Sequence, residues 1–177
     1  YCIKVFGRPF ALRLLRSMLW KGRTYVRVNT LKADERRVVK ILEERGFKLM
    51  KDPDVPHLYR LDEAPRPVVA TDLYRMGLIQ PGDKASHVAV LLASPEPGEE
   101  VLDMCAAPGM KTSYLAQLMG NEGKIVSVDY SFRRILVWRR NVARLGVGIA
   151  QPVVGDALNP CLKGEFDLVV LDPPCSG

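Results

Sequence analysis

Pro97-Gly98-Glu99-Glu100-Val101-Leu102-Asp103-Met104-Cys105-Ala106-Ala107-Pro108-Gly109-Met110-Lys111-Thr112 carries a turn, a strand, a loop of small residues and the start of a helix in one short span. The Pro-Gly pair marks the turn, Val101 to Met104 is a short apolar strand, and Thr112 to Met119 takes up a helical pattern. A strand that feeds a helix through small residues opens a βαβ unit, and the small side chains let a ligand approach the backbone closely. Two familiar versions of such a loop are excluded. A dinucleotide fingerprint needs three spaced glycines and this loop has only Gly109; a phosphate loop needs adjacent Gly-Lys, and Met110 intervenes before Lys111.

Downstream, the same pattern recurs. Lys124 to Asp129 reads as a strand ending in an acid, the position where a ribose diol is usually held; the competing reading is an acid that caps the helix expected over Phe132 to Leu145. Pro152 to Val154 gives a third strand, followed by Gly155-Asp156-Ala157. Phe166 to Leu171 is apolar apart from Asp167, too short for a helix, and reads as a strand buried on both faces; Asp172 follows it. Pro173 and Pro174 then remove two backbone donors and turn the chain out of the sheet, which leaves Asp172 and Cys175 at its carboxyl edge. A Pro pair after a strand is also a plain stop signal, and a free Cys is often a small buried hydrophobe. Four successive strands ending in acids or acid-bearing loops (Asp103, Asp129, Asp156, Asp172) favour a ligand edge over scattered surface charge.

Taken together, CAAPGMKT, VDYS, GDA and DPPCSG, in this order and spacing, resemble the successive motifs of the Sun-type (RsmB/Nop/NSUN) RNA cytosine carbon-5 methyltransferases, which use S-adenosylmethionine. The resemblance extends upstream through Arg27-Val28-Asn29-Thr30-Leu31-Lys32, Gly77-Leu78-Ile79-Gln80 and Asp83-Lys84-Ala85-Ser86. It implies an α/β fold in which a Rossmann-like methyltransferase sheet, incomplete in this chain and covering residues 76–177, follows a small basic RNA-binding α/β region over residues 1–75. It also implies that Cys105, Ala106, Ala107, Pro108, Gly109, Met110 and Lys111 wrap the methionine and ribose part of the cofactor. Asp129 would hold the ribose hydroxyls, Asp156 the adenine amino group, and Asp172 would stand between cofactor and target base. Arg134 matches an arginine found at this spacing in the family; a solvated helix face shared with Arg133, Arg139, Arg140 and Arg144 is the alternative. Met110 stands where the family commonly has Gly, and a larger side chain there is expected to narrow the cofactor entrance.

The chemistry implied by the resemblance is covalent: a cysteine thiolate adds to carbon 6 of cytosine, carbon 5 takes the methyl group, and loss of the carbon-5 proton expels the thiolate. In such enzymes the attacking cysteine lies in a later Thr-Cys motif, absent from these residues, and the cysteine of DPPCSG helps release product, so Cys175 is the expected releasing thiol and Asp172 the group that steadies the base. An apolar strand at Phe166 to Leu171, expected at the sheet edge, together with Tyr1 in place of Met, reads as a fragment or a chain completed by a further segment or partner. A non-catalytic cofactor- and RNA-binding subunit is the second reading. An amino-group methyltransferase is a third, but Cys175 stands where those enzymes favour an aromatic residue.

Charge divides the chain. Residues 1–98 carry 18 Lys/Arg against 11 Asp/Glu, and residues 99–177 carry 8 against 9. Within the first 33 residues Lys4, Arg8, Arg13, Arg16, Lys21, Arg23, Arg27 and Lys32 meet no acid and are interleaved with Tyr1, Phe6, Phe10, Trp20 and Tyr25. This suits a phosphate backbone with base stacking, and the resemblance implies that the partner is tRNA or rRNA; a solvated basic face over an aromatic core is the alternative. No apolar stretch reaches the roughly 20 residues of a membrane span. Cys2, Cys105, Cys161 and Cys175 show no paired spacing, so neither a disulfide framework nor a metal site is expected, and a reducing cytoplasm is the natural setting. Val26 to Asn29 and Phe47 to Met50 read as strands, Ala33 to Arg45, Asp83 to Ala93 and Leu12 to Trp20 as helices, and the Pro-rich span 52–67 as a loop.

Overall fold

The computed structural model describes residues 1–18, 22–159 and 162–173. Helices α1 (Cys2–Phe6) and α2 (Arg8–Met18) lead into β1 (Tyr25–Val28), α3 (Glu35–Glu44), β2 (Lys48–Lys51), β3 (Leu58–Glu63), α4 (Asp72–Arg75) and β4 (Ile79–Gly82). Helix α5 (Lys84–Ala93) then precedes β5 (Glu100–Asp103), α6 (Met110–Leu118), β6 (Lys124–Asp129), α7 (Phe132–Arg144), β7 (Ala150–Val154) and β8 (Leu168–Val170). The first four strands form an antiparallel sheet in the order β2-β3-β1-β4, and the last four a parallel sheet in the order β7-β6-β5-β8. The second is the expected Rossmann-like arrangement, with the last strand beside the first and the strand order reversing at β5, the position where open α/β sheets bind ligands.

Local chemistry accounts for the helix starts. Asp34 accepts the Arg37 N–H at 2.9 Å, Asp83 the Ser86 N–H at 2.7 Å, and Ser131 the Arg134 N–H, each an N-cap of about 1 kcal/mol. Proline is placed where strands tolerate it: Pro81 in β4 and Pro152 in β7 both sit on sheet edges.

Three expectations change. The Pro-rich span contains β3, an inner strand of the antiparallel sheet, because its prolines (Pro53, Pro56, Pro65, Pro67) flank Leu58–Glu63 and none lies within it. The antiparallel sheet also continues past residue 75, since β4 pairs with β1 from Val28↔Ile79 to Tyr25↔Gly82. At β8, the outer strand among the described residues, the expected burial on both faces is found on one: Val170 packs with Val90 of α5 in the core, while Val169, on the opposite face, is 52% exposed.

The two sheets share a core. In β1 the alternation of side chains sends Val26 and Val28 toward Val38, Leu42 and Phe47, while Arg27 faces α6. Its cross-strand neighbour Leu58 joins Val101, Tyr114, Leu115 and Ile125 of the second module in one buried cluster. Of the RVNTLK stretch, Asn29 donates from Nδ2 to the carbonyls of Gly77 (2.8 Å) and Leu145 (2.7 Å), and Lys32 Nζ to those of Met76 (2.6 Å) and Arg144 (3.1 Å). Arg27 and Lys32 therefore leave the proposed nucleic-acid face: one is fully buried and the other is bound to backbone carbonyls. Lys4, Arg8, Arg13, Arg16 and Arg23 remain exposed, as do Tyr1, Phe6 and Phe10. Trp20 and Lys21 lie outside the described residues.

Candidate functional site

A cleft of about 630 Å³ opens at the carboxyl ends of the parallel strands. Its walls come from each strand end in turn: Met104 and Cys105 after β5, Asp129, Tyr130 and Arg134 at β6 and α7, the segment Val154 to Leu158 after β7, and Leu171 and Pro173 after β8. The volume lies in the usual range for a small-molecule site, and the walls are apolar with a few placed charges.

Asp129 is the most constrained of those charges. It is 2% exposed, and its Oδ2 accepts the Ala107 N–H at 3.2 Å and pairs with Arg134 Nη1 at 3.3 Å, while Oδ1 accepts the Ser131 N–H at 3.2 Å. Arg134 completes the clasp by donating from Nη2 to the Ala107 carbonyl at 2.6 Å, and its guanidinium lies 5.6 Å from the Tyr130 ring centre. The arginine thus belongs to the cleft, while Arg133, Arg139 and Arg140 are exposed on the outer face of α7. The helix itself starts from Ser131, so the alternative reading of Asp129 as its N-cap does not hold.

Asp156, exposed across the cleft, folds its own loop by accepting the Leu158 N–H at 2.9 Å. Asp172 stands between Leu171 and Pro173 and pairs with Lys111 Nζ at 3.0 Å, tying the loop after β8 to the first turn of α6. Cys175 lies outside the described residues.

Within the loop Cys105 to Lys111, the members divide. Cys105 faces the cleft, Ala106 and Ala107 are buried beneath it, and Pro108 is exposed with its carbonyl accepting from Asn141 Nδ2 at 2.9 Å. Burial and the nearby Asp103 and Asp129 carboxylates push the Cys105 thiol up. Gly109 has φ +97, and a Cβ there would sit 3.2 Å from both Trp138 and Val142. Met110 does not narrow the cleft. Its side chain turns the other way, receiving the Gln80 amide at Sδ (2.9 Å) and filling the space left by the missing side chain of Gly82.

Two groups named in the sequence take parts that sequence reasoning did not assign them. Asp103 is fully buried under the loop; Oδ2 accepts from Thr112 Oγ1 at 2.7 Å, Thr112 accepts from the Trp138 indole at 3.0 Å, and Oδ1 has no partner. Burial, opposed by the Thr112 hydrogen bond and Lys111, pushes its carboxyl from 3.8 up to about 6. The other is Arg27, whose signal was a charged residue between two core valines on a strand later found to be covered on both faces.

The Asp103 shift has a definite sign. Below pH 4 the carboxyl is protonated whether the chain is folded or not; between about 4 and 6 the folded chain holds the extra proton, and stability falls as pH rises through that window by an expected total of about 3 kcal/mol. Asp103→Asn should remove this slope and stand about 1 to 3 kcal/mol above the parent at pH 8 but level with it at pH 4 in urea unfolding. A variant equally destabilised at both pH values would show that Asp103 is ionised and satisfied.

The family model described as 16S rRNA methyltransferase RsmB/F matches residues 88–177, half of the chain. The chain belongs to this family. Among its curated relatives, a 28S rRNA (cytosine-C(5))-methyltransferase of Mus musculus is 34% identical over 86% of this chain and 37% of the relative. Ribosomal RNA small subunit methyltransferase F of Vibrio parahaemolyticus is 37% identical over 88% and 34%, and a tRNA (cytosine(49)-C(5))-methyltransferase of Pyrococcus abyssi 36% identical over 87% and 50%. The chain thus spans a third to a half of the length of these relatives. A solved methyltransferase homolog protein from Pyrococcus horikoshii superposes with TM-score 0.89 at 35% identity, over 99% of this chain and 58% of that one. NSun6 from the same organism, solved with SFG, shares the fold with TM-score 0.91 at 22% identity over 99% and 69%. The resemblance seen in CAAPGMKT and DPPCSG is borne out.

Proposed function

We propose that this chain is the RNA-binding and cofactor-binding part of an enzyme that methylates carbon 5 of cytosine in tRNA or rRNA with S-adenosylmethionine. The observation that carries the reading is the Asp129 clasp: a buried carboxylate fixed by Ala107 and Arg134 at the strand end, opening into a cleft with Asp156 on the far wall. S-adenosylmethionine fits these residues. Asp129 is the acceptor for two ribose hydroxyls, Tyr130, Val154 and Leu158 form an apolar slot suited to adenine, and Asp156 reaches its amino group. Cys105, Ala106, Ala107, Pro108, Gly109, Met110 and Lys111 are assigned to the methionine side, Met110 through its backbone and Lys111 through its pair with Asp172. When bound, the cofactor supplies an electrophilic methyl group.

Asp172 is assigned to the target base. Its pairing with Lys111 holds it between Leu171 and Pro173 of the cleft wall, where it can accept a hydrogen bond from the exocyclic amine of cytosine. Cys175 is assigned to product release. The basic surface of the amino-terminal helices, with Phe6 and Phe10 at 5.5 Å from one another, is assigned to the RNA. No helix of the described residues is long and apolar enough to cross a membrane. We assign the chain to a reducing cytoplasm, a setting that keeps Cys2 and Cys105 free.

Isothermal titration of the purified chain with S-adenosylmethionine, and filter binding of an unmodified tRNA or rRNA transcript at several salt concentrations, test the reading. Saturable cofactor binding and RNA affinity that declines steeply with salt are expected. A chain that takes up neither would overturn the assignment.

A further inference from the structure

We infer that Arg27, a residue of the amino-terminal sheet, is a positioning residue for the cofactor cleft: it fixes helix α6 so that Lys111 meets Asp172. This goes beyond the proposed function and rests on its reading of the cleft as a cofactor site.

The guanidinium of Arg27 is fully buried and has no carboxylate partner among the described residues. Nη1 donates to Gln117 Oε1 at 3.0 Å and Nη2 to Ser113 Oγ at 2.7 Å, the planar group lies 4.9 Å from the Tyr114 ring centre, and Nε is unpartnered. Such a charge is costly to bury; an apolar residue of the same length would suit the core better. Desolvation is strong enough to bring its pKa down to about 9.

What the charge does provide is a rigid fork. Ser113 and Gln117 are one helical turn apart, so a group bonded to both sets the rotation of α6 about its axis. The contact continues into the cofactor loop: Ser113 Oγ in turn donates to the Met110 carbonyl at 2.9 Å, at the residue where the loop becomes helix. Met110 is held from the same sheet by Gln80, and Gln117 donates back to the Val28 carbonyl at 3.1 Å. Lys111, next in line, makes the ion pair to Asp172 across the cleft. Rotation of α6 by even part of a turn would move the Lys111 ammonium off Asp172 and shift the loop backbone that faces the ligand.

The test is a comparison of stability with affinity in the full chain. Arg27→Met removes the charge with little change of volume; its unfolding temperature is expected to hold or rise, while S-adenosylmethionine binding by titration calorimetry weakens about tenfold. A purely structural role would lower both together. Arg27→Lys, which reaches Ser113 or Gln117 but not both, is expected to fall between. Should Arg27→Met fail to fold, Ser113→Ala cuts the path to Met110 while leaving the Gln117 bond, and carries the same prediction in affinity. Wild type that binds cofactor, with folded variants that bind it equally well, overturns this inference alone. Wild type that does not bind cofactor overturns the reading of the cleft, and this inference with it.

Discussion

Asp129→Ala should weaken S-adenosylmethionine binding by about 100-fold or more while leaving the chain folded. Two charge-assisted hydrogen bonds to a ribose diol are each worth about 1.5 to 3 kcal/mol, and both acceptors vanish. The substitution also frees Arg134 and the Ala107 N–H. Because the Arg134 side chain is 37% exposed, it can turn to water, so the cost to folding stays modest. Asp129→Asn should fall between, keeping one acceptor for Ala107 but losing the charge. Calorimetric titration gives the affinities, and far-ultraviolet dichroism with thermal melting controls for the fold. Unchanged affinity in Asp129→Ala would remove Asp129 from the ribose and place the ligand elsewhere in the cleft.

Gly77→Ala is expected to have the largest effect on stability. Gly77 has φ +75, and a Cβ there would lie 1.9 Å from the Arg144 carbonyl oxygen, inside any contact distance. Neither side can yield easily. Asn29 holds the Gly77 and Leu145 carbonyls together, Lys32 holds those of Met76 and Arg144, and Arg144 itself donates to Tyr74 (2.6 Å) and Gln80 with its guanidinium 4.0 Å from the Tyr74 ring centre. Opening this seam separates the two modules, and a loss above about 3 kcal/mol is expected, or roughly 10 °C in Tm for a chain of this size. Gly120→Ala supplies the comparison: its φ is +63 but nothing lies within 4 Å of the added carbon, so only the backbone penalty of about 1 to 2 kcal/mol applies. Equal losses in the two variants would show that the seam tolerates the extra atom.

The cleft was legible in the sequence because its parts are local. A strand end, the acid on it and the loop beyond are contiguous, and the phase of Asp129 and Asp156 against their strands needed only the alternation of apolar residues. Arg134 was left open for the opposite reason. Five arginines share α7, and which one reaches the cleft depends on where the carbonyl of Ala107 sits, 27 residues away along the chain. The side chain of Met110 was misdirected on the same ground: its neighbours in sequence form the loop beside the cleft, but its side chain goes to Gln80 and Gly82 on the other sheet. The strand Leu58–Glu63 escaped notice because prolines on both sides dominated the composition of the span around it.

By itself the sequence determined the parallel strands with their terminal acids, the family, and the separation of a basic amino-terminal half from a nearly neutral carboxyl-terminal one. These follow from periodicity, from motifs read within a few residues of one another, and from charge, none of which requires distant contacts. Only the tertiary structure decided which of the basic residues are free. Arg27 and Lys32 belong to the same positive stretch as Arg8 and Arg13, yet packing against α6 and α7 buries the first and ties the second to carbonyls. Hydrogen-bond partners from 44 to 112 residues away set that outcome, and a linear reading has no access to them.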